Sequence, residues 1–82
     1  MTYEWNLYGP YPDSFSGYTV LSSNVVDAED MEACLNHLRE TVKPAEGQIL
    51  AVYDYSHRRF MSYPQNNSLC SRYYRNGWEQ RV

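Results

Sequence analysis

The stretch DAEDMEACLNHLRETVKPAEGQILAVYDYS, residues 27–56, decides the fold. Apolar residues fall at Ala28, Met31, Leu35, Leu38 and Val42, spacings of three and four that draw one stripe along a helix. Asp27 is suited to cap that helix, with Asp30 three residues on in the manner of a capping box. Glu29, Asp30 and Glu32 place negative charge at the start, and Arg39 and Lys43 lie toward the end, as the helix dipole favours. Pro44 and Gly47 stop it. Five apolar residues follow without a break, Ile49-Leu50-Ala51-Val52-Tyr53, inside a strand expected over Gln48 to Ser56. So short an apolar run marks a central strand. The helix stripe is expected to pack on it, through either Ile49, Ala51 and Tyr53 or the alternate set Leu50 and Val52.

Working upstream, Gly17 to Asn24 reads as a strand and Tyr3 to Tyr8 as a short strand or an extended arm. The loop between them holds Gly9, Pro10 and Pro12. Downstream, His57-Arg58 is expected to form a tight turn, after which Arg59 to Tyr63 returns as a partner strand. Asn76-Gly77 then joins Cys70 to Arg75 with Trp78 to Val82, the strongest two-residue hairpin signal in the chain. The resulting fold class is α+β: one domain over residues 1–82, an antiparallel or mixed sheet of four to six strands, and one helix packed on one face. One helix covers one face only, so the other is expected to meet solvent or a partner.

Eighty-two residues supply one core and little material for a deep catalytic cavity. No apolar run approaches the ~20 residues of a membrane span. The N-terminal residues Met1 to Trp5 lack the pattern of a signal peptide. A cytoplasmic location is therefore expected, with Cys34 and Cys70 as free thiols.

Charge is unevenly placed. Residues 1–56 carry nine acidic against two basic side chains, and residues 57–82 carry one acidic against five arginines. Nine Tyr, two Trp and two Phe make 16% of the chain aromatic. Arg58 and Arg59, then Arg72, Tyr73, Tyr74, Arg75, Trp78 and Arg81, interleave guanidinium with aromatic groups. These are the residue types enriched at protein-binding hot spots, and this set is the expected partner-binding surface. The same types can bind phosphate and stack on bases, so a small single-stranded RNA- or DNA-binding module using the Arg/Tyr hairpin is the alternative. A net charge of −3 and a single lysine weigh against that alternative. A secondary acidic face, Glu29, Asp30, Glu32 and Glu40 with Glu46 and Asp54 nearby, could imitate a run of phosphates before a basic groove. The plainer reading of such a helix face is a solvated one.

Catalytic chemistry is not expected. Cys34 and His37, with His57 and Cys70, do not have the spacing of a zinc finger, and Cys34 borders the apolar stripe as a small core residue would. Neither cysteine sits in the local signature of a thiol enzyme. The glycines at 9, 17, 47 and 77 are scattered and form no phosphate loop. Neither metal nor cofactor is expected.

In general character, the chain resembles the small anti-CRISPR proteins that phages direct against bacterial defence. The likeness lies in a single 82-residue domain, the acidic helix at 27–43 and an aromatic-rich sheet. The resemblance implies a stoichiometric inhibitor, in the host cytoplasm if the chain is phage-encoded; the expected partner is a large protein or ribonucleoprotein, bound by a monomer or homodimer. Such an inhibitor would block DNA binding or a conformational step of a Cas complex.

Overall fold

The computed structural model describes residues 1–14 and 17–65. The expected terminal hairpin, with Cys70, Arg72, Tyr73, Tyr74, Arg75, Trp78 and Arg81, lies outside the described residues. In chain order the elements are β1 (Thr2–Pro10), β2 (Tyr18–Asp27), α1 (Met31–Thr41), β3 (Ile49–Asp54) and β4 (Arg59–Tyr63). The four strands form one sheet in the order β2-β1-β3-β4, with every neighbouring pair antiparallel. Among the described residues, no helix is long and apolar enough to cross a membrane.

The helix stripe is as its periodicity requires. Met31, Leu35 and Leu38 are buried with Cys34, and they pack with Leu50 and Val52. The even-numbered residues of β3 therefore face the helix. Tyr3 joins the same cluster from β1, and Trp5, Leu7, Val26, Ala28, Val42 and Met61 close its rim.

The helix begins later than its acidic residues suggested. Asp30 is the N-cap, in extended conformation, and its side chain accepts a hydrogen bond from the Ala33 N–H at 2.7 Å. Asp27 is instead the last residue of β2: it pairs with Thr2, and its carboxylate accepts that residue's hydroxyl. Val25 and Val26 favour strand, and their pairing with Glu4 and Tyr3 carries β2 past the expected end at Asn24. The Ala28 N–H still bonds the Met1 carbonyl at 2.9 Å, so the ladder outlasts the strand. At the other end Val42 caps the helix, and Lys43 turns the chain with φ of 54° before Pro44 is reached.

The face opposite the helix is not open over β1 and β3. Tyr8, Ile49, Ala51 and Tyr53 are buried there as a second cluster, against which Tyr18, Tyr55 and Phe60 pack. Asn6 is buried with them and donates its amide to the Tyr8 hydroxyl at 3.2 Å, which lies 2.9 Å from that of Tyr53. Tyrosine permits this because its ring fills a core while its hydroxyl finds a polar partner. All six residues of β3 are buried as a result.

Candidate functional site

Of the expected partner-binding set, the structure describes Arg58 and Arg59, both exposed at the β3–β4 hairpin. The hairpin is wider than the two-residue turn its sequence suggested. β3 ends at Asp54, which pairs directly with Arg59, and Tyr55 to Arg58 make the turn. The cause is the Asp54 side chain. Its Oδ1 accepts the His57 backbone N–H at 3.2 Å, while Oδ2 lies 2.9 Å from His57 Nδ1 and accepts from Arg59 Nη2 at 3.3 Å. An ionised carboxylate can only accept, so Nδ1 carries a proton in that contact.

The Asp54 side chain is 2% exposed, against 56% for His57 and 61% for Arg59. Burial works to raise its pKa, but the hydrogen bonds from His57 and Arg59 outweigh it and hold the carboxyl below the ordinary carboxylate range. Asp54 is therefore a structural bracket and does not contribute to an exposed acidic face. The bracket fixes one end of the Arg59 side chain and leaves most of it open to solvent. Arg58 stands beside it with φ of 53°, and Tyr55 is tied back to β1 through its hydroxyl, which donates to Glu4 at 2.6 Å.

Between this hairpin and the start of α1 runs an open groove of about 510 Å³, lined by Asp30, Met31, Glu32, Arg59, Phe60 and Met61. The groove has an apolar floor, an acidic wall from the helix and one cation from β4. Two members of the expected acidic face, Asp30 and Glu32, thus share a surface with Arg59. Glu29 and Glu40 are exposed but do not line it. The sequence separated acidic and basic halves of the chain, and the antiparallel β3–β4 return brings them together here.

Other candidate chemistry falls apart in space. Cys34 is buried in the core, where burial pushes its thiol pKa up, while His37 lies on the exposed side of the same helix. A buried protonated thiol is a poor nucleophile. Among the described residues, no group of three or more His, Cys, Asp or Glu could hold a metal ion. The bracket of Asp54 with His57 escaped the sequence reading; an aspartate at a strand end with a histidine three residues on was its only signal. The contact of Arg39, whose guanidinium carbon sits 3.7 Å from the centre of the Tyr63 ring, was not anticipated either. It ties the last turn of α1 to the end of β4.

No family model matches this chain, and neither does any curated protein or any solved structure.

Proposed function

We propose that the chain is a non-enzymatic protein-binding domain, acting as a stoichiometric inhibitor of a nucleic-acid-handling complex through the groove between α1 and the β3–β4 hairpin. One observation carries this reading: Arg59, held by a buried carboxylate, opens onto the same apolar-floored groove as Asp30 and Glu32. A guanidinium fixed in advance loses less freedom on binding than a loose one. Met31 and Met61, which belong to the helix-side cluster, supply apolar contact beneath it. A partner segment carrying a carboxylate for Arg59 and a cation for Asp30 and Glu32 satisfies every wall of the groove. Complexes that handle nucleic acid are rich in exposed cations, which an acidic wall can engage in competition with phosphate.

The same groove argues against direct nucleic-acid binding at this site. A phosphate backbone placed on Arg59 would lie beside Asp30 and Glu32 and be repelled by both. Capture from a bacterial lysate on immobilised protein, with identification of the retained complex, tests the proposal. Arg58→Ala and Arg59→Ala are assayed for retention, with alanine variants at Arg72, Tyr74, Arg75 and Trp78 in parallel. Loss of at least one hot spot should weaken retention by about tenfold or more with the fold intact. Retention unchanged in all six variants would overturn it, as would steeply salt-dependent binding of bare oligonucleotides by the isolated chain.

A further inference from the structure

Strand β2 lies at the opposite edge of the sheet from β4, and among the described residues it pairs on one side only, with β1. None of its ten residues is buried. Val20, Leu21 and Val25 are 50%, 52% and 62% exposed, and between Tyr18 and Val26 there is no charged residue and no proline. Proteins ordinarily protect such an edge with lysine, proline or a very short strand, because outward N–H and C=O groups pair readily with another strand. Here one such donor, the Val25 N–H, is held by Asn24 Oδ1 at 2.8 Å and would exchange that side chain for a carbonyl on pairing.

The register with β1 shows what this edge fits. It runs through nine paired positions, Tyr18↔Pro10 to Asp27↔Thr2, and skips Leu21 as a bulge. The skip has a steric basis: Leu21 lies across Gly9, where an added Cβ would sit 2.7 Å from Leu21 Cδ1. Counted by these positions, Ser23 is the middle of the strand. A two-fold axis through Ser23, normal to the sheet, sets Ser22 against Asn24, Val20 against Val25 and Thr19 against Val26 of a second copy. Each of these pairs shares a face of the sheet, as antiparallel pairing requires, and the bulge is what brings Val20 and Val25 to the same face. The exposed valines thus meet each other in two symmetric apolar contacts, and no like charges are opposed along Tyr18 to Val26.

From this self-complementarity, we infer that two copies of the chain pair antiparallel through β2, joining their sheets across a two-fold axis at Ser23. This isologous contact is independent of the hairpin groove, which lies at the far edge of each sheet. The dimer would present two grooves, one at each outer end, so a partner with two binding sites would be held bivalently.

Sedimentation and light scattering of the full chain over a concentration series read the association directly. Ser23→Lys and Ser23→Glu each place two like charges at the axis and should weaken association by about tenfold or more, with the circular dichroism of the folded chain unchanged at this exposed position. Mixing the two variants should restore a dimer containing one of each. Val25→Thr, which keeps strand propensity, should weaken association more mildly, and Arg59→Ala should leave it unchanged. A parent chain that stays monomeric up to high micromolar concentration would overturn the inference. A dimer that survives Ser23→Lys at full strength would also overturn it.

Discussion

β2 and β3 are both strands with apolar residues at alternating and adjacent positions, yet all six residues of β3 are buried and none of the ten in β2 is. Composition and position in the sheet agree in separating them: β3 runs apolar from Ile49 to Tyr53, whereas β2 is interrupted by Ser22, Ser23 and Asn24. β3 lies between β1 and β4, with α1 over Leu50 and Val52 and the tyrosine cluster around Ile49, Ala51 and Tyr53. Among the described residues β2 has one neighbour, and the helix leans on β3 and β4, away from it. Packing is concentrated at the interior strand, while Val20, Leu21 and Val25 of β2 and Arg58 and Arg59 of the β3–β4 hairpin stay exposed.

The sharpest way to break that contrast is to truncate β3. Leu50→Ala removes a fully buried side chain between helix and sheet and should destabilise by about 2–5 kcal/mol in denaturant melts. That is a large share of what a domain of this size holds. A melt close to the parent's would show that β3 is not the centre of the core.

Next in size is Asp54, where the interior strand becomes the charged edge. Asp54→Ala leaves the His57 N–H and the Arg59 guanidinium without their acceptor and should cost about 1–3 kcal/mol. The effect has a pH signature. Folding lowers the pKa of Asp54, so its contribution is full above the unfolded carboxylate value of about 4 and is lost as pH falls through the lower folded value. The stability gap between parent and variant should therefore narrow in acid. A gap that stays constant through the acid range would show that the charge is not what the bracket uses.

A smaller effect is expected from Tyr53→Phe, which keeps the ring and removes the hydroxyl beside that of Tyr8. One buried hydrogen bond is worth about 1 kcal/mol net. No change on substitution would mean the second cluster is held by packing alone. Smallest of all, Val25→Ala on the exposed strand should shift monomer stability by no more than about 0.5 kcal/mol. A loss as large as that of Leu50→Ala would erase the distinction between the two strands.

The parts of this fold legible in the sequence are those set by local periodicity. The spacing of Met31, Leu35 and Leu38 fixed which side of the helix is buried, and the run from Ile49 to Tyr53 marked the interior strand. Arg59 to Tyr63 emerged with its expected bounds. What could not be read depended on distant partners. Asp27 and Asp30 are equally good caps by type, and only the pairing of Val26 with Tyr3, 23 residues earlier, assigns Asp27 to the strand. Asp54 looked like one more surface acid because its burial rests on three converging donors, one of which comes from β4. The burial of Tyr8 and Tyr53 likewise needed β1 and β3 to be neighbours, which chain order alone does not dictate. Of the candidate site, the exposure of Arg58 and Arg59 was legible, but the juxtaposition of Arg59 with Asp30 and Glu32 was not.

Under the function proposed above, the domain inhibits by occupying a protein surface that nucleic acid would otherwise use. Titrating the domain into the captured complex while following the binding of a labelled oligonucleotide measures this directly. Oligonucleotide binding is expected to be lost at one equivalent of the domain, and Arg59→Ala to require about tenfold more protein for the same effect. Oligonucleotide binding that persists under excess domain would contradict it.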